Sequence, residues 1–438
     1  MEKTVTTASF ISLGCFKNIV DTEVLGGMLN EKNIKLVSPY EETDWLIINT
    51  CGFIRDAKEE SIDEILNAFE RKDAGEIKYV AVFGCLVQRY HNEIKDTFKN
   101  ADILWGVNDM EELAQLILEK GKKEYEDKEL FLYDHQYKRI ITTTPNSTFL
   151  KISEGCNMKC SFCSIPQIRG KFRSRSLDSI IKEAENYRNM GFKELNLISQ
   201  NSTYFGRDNG GRSQLPILIK EISKVGFDWV RVLYLMPEDV NDEVIDSFKH
   251  PSILPYFDLP FQHVSKKILT KMKRGSGIYN SIDLITKIRK EIKDAVIRSS
   301  FITGFPGETE DDFDELKEFV SEMEIERLGV FGYSDEENTA AFSLKNKISP
   351  EVIEERKEII LDISDKNIKK YNNKILETTQ IFLPLGPWDN NTTIGRIKSQ
   401  APETDGLSTI NTLFEGEYLP YKVKVTGSEN ELIYGEKL

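Results

Sequence analysis

The 438-residue chain carries 72 acidic and 58 basic side chains, and its formal net charge of −14 argues against a protein whose main task is coating nucleic acid. With 39% hydrophobic residues it has enough apolar material for about two to four domains, and it contains no apolar stretch long enough to span a membrane. Residues 1–7 show no apolar run behind a basic flank, so we expect a cytoplasmic protein with reduced thiols.

The first part of the chain shows a strand–helix repeat. Apolar runs that predict buried parallel strands occupy residues 9–14, 45–50 and 79–84, and helical patterns lie between them at residues 21–30 and 58–71. A cysteine directly follows each run, and these are Cys15, Cys51 and Cys85, the N-terminal cysteine triad. Ligands bind at the carboxyl ends of the strands in an open parallel sheet, so we expect the three thiols to converge. The alternative is that they are small buried residues that merely end strands.

The middle of the chain repeats this alternation with a different spacing. The predicted strands are residues 148–153, 194–199, 229–235, 256–261, 297–303 and 327–333, and the predicted helices are residues 177–190, 215–224, 239–248, 282–293 and 310–324. Six such units indicate a partial (β/α)6 barrel, in which the active site lies at the carboxyl ends of the strands. The predicted fold class is therefore α/β, with an open parallel sheet followed by this barrel.

Three further cysteines lie just past the first of these six strands. They are Cys156, Cys160 and Cys163, the central cysteine triad. Three soft ligands without a fourth differ from a closed structural zinc site and favour an iron–sulfur cubane with one iron open to a substrate or cofactor. One alternative is that these cysteines are buried structural residues, but their polar sequence neighbours make this a poor fit. Disulfides are a second alternative, and they are disfavoured in a cytoplasmic chain.

The last part of the chain changes to short strands. After a helical connector at residues 350–373, strands are predicted at residues 378–383, 392–398, 407–411, 421–426 and 431–434, with turn-rich stretches between them. This pattern indicates a small β-barrel, a module that often recognises partners. We therefore expect three domains, at residues 1–125, 142–373 and 374–438.

Several motifs resemble those of the radical S-adenosylmethionine (SAM) methylthiotransferases. The spacing Cys156-x-x-x-Cys160-x-Phe162-Cys163 is similar to the radical SAM signature, in which an aromatic residue precedes the last cysteine. Together with the N-terminal triad and the terminal barrel, the segments at residues 12–18, 49–54, 57–62, 84–86 and 259–263 look most like the branch of this family that modifies a ribosomal protein. One departure is Phe16, where that branch usually has proline.

The resemblance implies an N-terminal methylthiotransferase domain, a radical SAM barrel and a TRAM-like β-barrel for substrate recognition. The central triad would hold a [4Fe-4S] cluster that binds SAM, whose reductive cleavage would give a radical that takes a hydrogen from the β-carbon of an aspartate in the twelfth small-subunit ribosomal protein. The N-terminal triad would hold a second [4Fe-4S] cluster that carries the sulfur, and a second SAM would supply the methyl group. The implied partners are the ribosomal protein, free or in the ribosome, and an external electron donor.

Residues near the predicted strand ends are candidates for contact with the cofactor. They are Phe162, Gln200, Gln262, Arg298, Gly304 and Glu308. Residues 304–308 resemble the family segment that lies against the adenine of SAM, where glycine permits close approach of the backbone, although a plain strand-to-helix turn is the alternative.

A basic run of Arg169, Lys171, Arg173 and Arg175 could bind a cofactor carboxylate or an acidic substrate, or form a solvated or salt-bridged segment. We interpret His263 as structural, because nothing in the sequence pairs it with a nucleophile.

Two other functions have to be weighed. A tRNA-modifying relative shares both triads and the barrel, but residues 371–438 hold nine acidic and six basic side chains, and this net charge of −3 favours a basic protein partner over tRNA. A non-catalytic iron–sulfur carrier or redox sensor is a hypothesis of another class, and it would need neither a six-unit barrel nor residues 304–308.

Overall fold

A computed structural model describes residues 6–121, 130–274 and 281–438 of the chain. Residues 1–5, on which part of the prediction about export rests, and the predicted domain end at residue 125 lie outside the described residues. Within the described ranges, no helix combines the length and the apolar composition that a membrane span requires. The division into three domains at residues 1–125, 142–373 and 374–438 stays a prediction.

The first layer is a five-stranded, fully parallel sheet. In chain order its strands and helices are β1 (Thr7–Ser12), α1 (Phe16–Glu31), β2 (Lys35–Leu36), β3 (Thr43–Thr50), α2 (Arg55–Asp73), β4 (Ile77–Gly84), α3 (Cys85–Ile94), β5 (Ile103–Trp105) and α4 (Met110–Glu119). The strand order is β2-β1-β3-β4-β5. Helices cover both faces, and this explains why β3 and β4 are almost continuous apolar runs. The predicted strands and helices are confirmed with small shifts of their ends, whereas β2, β5, α3 and α4 were not predicted.

The central region contains six parallel strands in two sheets of three. Its elements are β6 (Ser147–Lys151), β7 (Ser153–Glu154), α5 (Ile165–Ile168), β8 (Arg173–Ser174), α6 (Leu177–Asn189), β9 (Glu194–Ile198), α7 (Arg207–Gly210), α8 (Leu215–Ile222), β10 (Trp229–Val232), α9 (Asp242–Ser247), β11 (Tyr256–Asp258), α10 (Lys266–Lys271), α11 (Ser281–Glu291), β12 (Val296–Thr303), α12 (Glu310–Glu322) and β13 (Arg327–Gly332). The sheets are β6-β9-β10 and β11-β12-β13, and the parallel bridge between Val230 and Ile253 joins them. The six predicted strands are confirmed, while their closure into a single partial (β/α)6 barrel stays a prediction.

The last part is a closed five-stranded barrel behind a long helix. Helix α13 (Pro350–Ile375) leads into β14 (Thr379–Pro387), β15 (Thr393–Ile397), β16 (Ser408–Ile410), β17 (Tyr421–Glu429) and β18 (Leu432–Lys437). The barrel order is β14-β15-β16-β18-β17. The small β-barrel that the short-strand pattern predicted is confirmed.

Buried charges fasten this barrel to the central sheets. The side chain of Glu194 in β9 is fully buried and pairs with Arg396 of β15 and with Arg231 of β10. Its carboxylate also accepts a hydrogen bond of 2.7 Å from the Ser147 hydroxyl. Because a buried carboxylate shared by two guanidinium groups neutralises most of their charge, its loss leaves two cations in a place without water.

We expect Glu194→Ala to lower the free energy of unfolding by about 3–5 kcal/mol, the usual cost of leaving a buried charge uncompensated. The matched control is Glu59→Ala, which breaks an exposed i,i+4 pair with Arg55 and should change stability by less than about 1 kcal/mol. Urea unfolding followed by tryptophan fluorescence measures both changes. Equal urea midpoints for the two variants would contradict the proposed fastening.

Candidate functional site

The N-terminal cysteine triad lies at the point where the strand order of the first sheet reverses. Cys15 follows β1 and caps α1, Cys51 directly follows β3, and Cys85 follows β4 as the first residue of α3. In sheets of this order, ligands bind in the crevice between the ends of β1 and β3, where the chain leaves in opposite directions. Cys15 and Cys85 both lie close enough to Cys51 to contribute to the rise in its pKa, although burial is the larger cause. The predicted convergence is therefore confirmed, while their role as metal ligands stays a prediction.

Two glycines let the three loops come together. Gly14 has a φ of +87°, and a side-chain carbon there would lie 2.9 Å from the Cys51 sulfur. At Gly52, an added carbon would lie 2.8 Å from the backbone of Cys85. Any larger residue at either position would push two of the three thiols apart.

The central cysteine triad lies on the loop after β7, and this loop is held at several points. The Cys156 amide donates to the Gly170 carbonyl at 3.1 Å, and the Ser161 amide donates to the Met272 carbonyl at 2.9 Å. Arg274, paired with Glu238, lies with its Nη1 3.8 Å from the Cys160 sulfur. The loop thus bridges the first strands of the central region and the segment after α10, across the carboxyl ends of the strands.

The donor set at both places fits iron–sulfur chemistry. Burial and the neighbouring thiols Cys85 and Cys15 raise the pKa of Cys51 to about 12, and burial also raises the pKa of Cys163 and Cys160. At such values the free thiols stay protonated, and a bound metal would be needed to hold them as thiolates. Within the described ranges no three His, Cys, Asp or Glu side chains surround one point as a single ion requires.

Arg169 connects the two triads. Its guanidinium donates to the Cys85 sulfur at 3.2 Å and to the Asn18 side chain at 2.6 Å, and it pairs with Asp21 at 2.6 Å. The same group lies 3.3 Å from Glu154, two residues before Cys156. The sequence left two alternatives for the basic run that contains Arg169, namely binding of a carboxylate of the cofactor or substrate, or a solvated or salt-bridged segment. In the structure Arg169 is salt-bridged.

Lys151 completes this cluster of charges. Its ammonium lies 2.5 Å from Asp21 of α1 and 2.7 Å from Glu154. Although burial favours the neutral acid, Lys151 and Arg169 lower the pKa of Glu154 to about 2. A buried network of ion pairs therefore joins helix α1, which begins beside Cys15, to the loop that carries the central triad. The sequence analysis did not identify Lys151 or Asp21, because no local pattern marks an ion pair between residues 130 positions apart.

The loop at residues 334–344 contacts residues that lie close to each of the two triads. Glu336 pairs with Arg89 at 2.7 Å, and Arg89 donates to the Gly52 carbonyl at 2.9 Å, next to Cys51. Further along the same loop, the Ala341 amide donates to the Ser161 carbonyl at 2.7 Å. One loop thereby restrains a residue neighbouring each triad.

Among the candidate cofactor residues, Gln200, Gln262 and Gly304 follow the carboxyl ends of β9, β11 and β12, whereas Arg298 lies toward the amino end of β12, so its predicted place at a strand end is wrong. The Gln200 amide donates to Glu154, and Arg298 pairs with Asp258 at 3.0 Å. Gln262 has a φ of +71° and its backbone bridges to Phe301. Phe162 packs against the central core between Cys160 and Cys163. Their contact with a cofactor stays a prediction.

Glu308 is fully buried and holds the loop at residues 304–308 in place. Its carboxylate accepts from the Gly304 amide at 3.0 Å and pairs with Arg356 of α13 at 2.7 Å. The His263 Nε2 atom lies 3.3 Å away, while its Nδ1 accepts from the Ser265 amide. These contacts agree with a structural His263, and they make Glu308 a residue that shapes the Gly304 loop from behind.

The other members of the basic run have separate surroundings. Arg175 is buried and pairs with Glu183 at 2.6 Å, while Arg173 donates to backbone carbonyls, among them that of Arg169. Lys171 is exposed. The run therefore does not form one binding surface.

Comparisons with known proteins agree with this arrangement. Residues 150–320 match the model of the Radical SAM superfamily, and residues 7–106 match that of the "Uncharacterized protein family UPF0004". A protein of Clostridium novyi (strain NT) called "Ribosomal protein uS12 methylthiotransferase RimO" is 42% identical over 424 residues, which cover 95% of each chain. A protein with the same name from Syntrophomonas wolfei subsp. wolfei is 39% identical, covering 98% of this chain and 99% of the relative.

A solved structure also resembles the fold. The radical SAM methyltransferase TsrM from Kitasatospora setae, solved with a tryptophan substrate and a SAM analogue, matches with a TM-score of 0.55 and 12% identity. The match covers 75% of this chain and 73% of that chain. At this identity the likeness concerns the fold alone.

We expect Gly52→Ala to disturb the N-terminal triad, because the added methyl group would meet the backbone between Cys85 and Leu86 at 2.8 Å. Overpacking of this kind costs about 1–3 kcal/mol, and it should lower the iron bound after anaerobic reconstitution. Gly210→Ala is the control, since nothing lies within 4 Å of the added carbon there. Iron content and the thermal midpoint measure the effect, and unchanged iron in Gly52→Ala would refute the tight approach.

Proposed function

The chain belongs to the family of ribosomal protein uS12 methylthiotransferases named RimO, and we propose that it adds a methylthio group to the β-carbon of an aspartate in uS12, the twelfth small-subunit protein. It is a transferase of the Radical SAM superfamily that modifies a ribosomal protein and uses SAM and a [4Fe-4S] cluster. The observation that carries the finer proposal is the pair of three-thiol groups bridged by Arg169.

In this proposal each triad has its own task. Cys156, Cys160 and Cys163 would hold the [4Fe-4S] cluster at which SAM binds, and the N-terminal triad would hold a second one. Bound there, the two clusters would supply the electron for reductive cleavage of SAM and a site for the sulfur to be inserted. A radical route suits the substrate, because no side-chain base removes a proton from an unactivated carbon at neutral pH.

The surrounding residues keep water out and fix the distance between the two sites. Arg169, Asp21, Glu154 and Lys151 form the buried charge network between the triads, and each is almost inaccessible to solvent. Glu308 holds the Gly304 amide so that the backbone there can lie against the cofactor. An external electron donor would have to supply the electron, and a ribosomal substrate would place the reaction in the cytoplasm.

The terminal barrel is proposed as the surface that receives the ribosomal protein. Its loop between β16 and β17 exposes Leu413 and Leu419 to 59% and 53%, beside the carboxylates of Glu415 and Glu417. These four side chains line a shallow cavity of about 200 Å³. Acidic and apolar groups side by side suit a basic protein segment better than a phosphate backbone.

Mass spectrometry of uS12 and of tRNA from cells that lack the gene tests the reaction. We expect uS12 to lose its methylthio group and tRNA to remain unchanged, and the wild-type gene should restore the modification. Loss of a methylthio group from tRNA would instead support the tRNA-modifying alternative. In the same cells, genes in which either triad is replaced by alanine should fail to restore uS12.

The purified alanine variants separate the two triads. Reconstituted wild type should bind about eight irons as two cubanes, and each triple variant about half of that. Loss of the central triad should abolish formation of 5′-deoxyadenosine, whereas loss of the N-terminal triad should leave some of it. If 5′-deoxyadenosine persists without Cys156, Cys160 and Cys163, their assignment is wrong.

Charge reversal on the barrel tests the choice of partner. We expect Glu415→Lys with Glu417→Lys to slow association with uS12, and the wild-type affinity to fall as salt rises above ~0.15 M, where the Debye length is about 8 Å. Glu354→Lys with Glu358→Lys on α13 is the control, because both residues are exposed and the change in net charge is the same. Surface plasmon resonance measures the rates. Tighter binding of the wild type to tRNA than to uS12 would overturn the protein-partner proposal.

A further inference from the structure

One buried cation stands apart from all others in the described part of the chain. Every other buried lysine or arginine pairs with a carboxylate, namely Arg139 with Glu23, Lys151 and Arg169 with Asp21, Arg175 with Glu183, Arg231 and Arg396 with Glu194, Arg274 with Glu238, Arg327 with Asp405 and Arg356 with Glu308. Lys17, which is only 7% exposed, pairs with no carboxylate among the described residues. Because a nearly buried charge without a counterion is costly, an anion that binds beside the Lys17 ammonium would gain a charge partner there.

Lys17 lies beside the N-terminal cysteine triad. It belongs to the first turn of α1, two residues after Cys15. The preceding residue, Phe16, stacks on Phe149 of β6 with ring centroids 4.4 Å apart. This contact fixes the first turn of α1 against the central sheet, and it directs the neighbouring Lys17 toward the carboxyl ends of the central strands.

An aromatic ring holds the Lys17 ammonium in place. The Lys17 Nζ atom lies 3.2 Å from the centroid of the Tyr234 ring, just past the end of β10. A cation over an aromatic face is attracted to it, yet the ring carries no charge and leaves the ammonium free to bind an anion.

Hydrogen bonds of the Tyr234 backbone hold its ring in this position. Its φ of +60° is a left-handed conformation that a bulky residue rarely adopts. The Tyr234 amide donates to the Asp258 carboxylate at 2.9 Å, and its carbonyl accepts from the Ser202 amide at 2.9 Å. Strained residues held by such contacts are typical of functional sites.

We propose that Lys17 binds the side-chain carboxylate of the aspartate that is modified. This inference rests on the proposed function, because it identifies the group that recognises that substrate. The carboxylate is bonded directly to the β-carbon, so a charge-assisted hydrogen bond from Lys17 fixes the orientation of the carbon that reacts. Arg169 and Arg298 lie near the same strand ends, but their carboxylate partners already neutralise them.

The test compares binding of uS12 with binding of uS12 in which the target aspartate is asparagine. Reconstituted wild-type enzyme should prefer the aspartate form by roughly tenfold to hundredfold, the range expected for a charge-assisted hydrogen bond. In Lys17→Met this preference should disappear, and in Lys17→Arg much of it should remain. Isothermal titration calorimetry at fixed SAM concentration measures the six affinities without requiring turnover.

Two further variants keep the test decisive. Tyr234→Leu removes the ring beneath the ammonium and should reduce the preference even if Lys17→Met does not fold. Lys120→Met is the matched control, because Lys120 lies 5.9 Å from the Tyr79 ring at the end of β4 opposite Cys85, and this variant should keep the preference. Iron content and the thermal midpoint report whether each variant folds.

The outcomes separate this inference from the proposed function. If Lys17→Met keeps the preference for aspartate, or if wild type shows no preference, the role of Lys17 is wrong while the function stands. If Lys17→Met instead weakens binding of SAM, whose methionyl group also carries a carboxylate, Lys17 serves the cofactor and the inference is overturned. If wild type binds neither form of uS12, the proposed function fails and the inference with it.

Discussion

The structure depends on the buried network of charges between helix α1 and the loop of the central cysteine triad. Asp21 belongs to helix α1, Lys151 and Glu154 belong to β6 and β7, and Arg169 follows α5. Each charge is compensated by an opposite charge of this network. Removing one member would leave an uncompensated charge, so the two halves of the site can approach each other only in the register that satisfies all four. Specific orientation is a known use of buried ion pairs, and here it fixes the N-terminal triad relative to the central one.

Apolar packing supplies the energy that this network does not. One core cluster runs without interruption from Trp45 and Phe83 of the first sheet to Phe149 and Trp229 of the central strands. Burial of such rings is worth about 1.5–3 kcal/mol for each side chain, whereas a buried ion pair contributes little net stability. Packing therefore holds the sheets together, and the charges decide how they are aligned. The loop at residues 334–344 adds a second constraint from the far side through Glu336 and Arg89.

Much of the fold could be predicted from the sequence, because hydrophobic periodicity is a local signal. The apolar runs before Cys15, Cys51 and Cys85 located the strands, and the rule for parallel sheets located their thiols at one edge. Short elements such as β2 and β5 carry too few residues to show a period. The partners of Arg169 and Arg89 were out of reach, because they lie 148 and 247 positions away in the chain. The sequence does not mark Lys17 either. What distinguishes it is the lack of a carboxylate partner among the described residues, and this is visible only when the partners of the other buried cations are known.

Buried charges also fix the position of the terminal barrel relative to the central strands. Glu194 binds Arg231 and Arg396, and Asp405 accepts a hydrogen bond of 2.7 Å from Tyr256 of β11, so the barrel is anchored to strands of both central sheets. A barrel attached in this way does not swing freely, because separating it would break several buried ion pairs and hydrogen bonds at once. A protein segment that binds at Glu415 and Glu417 would therefore be presented at a fixed distance from the strand ends where Lys17 lies. Under the two proposals, selection of the substrate would have two separate parts, in which the exposed carboxylates would attract a basic protein and the Lys17 ammonium would select the side chain that reacts.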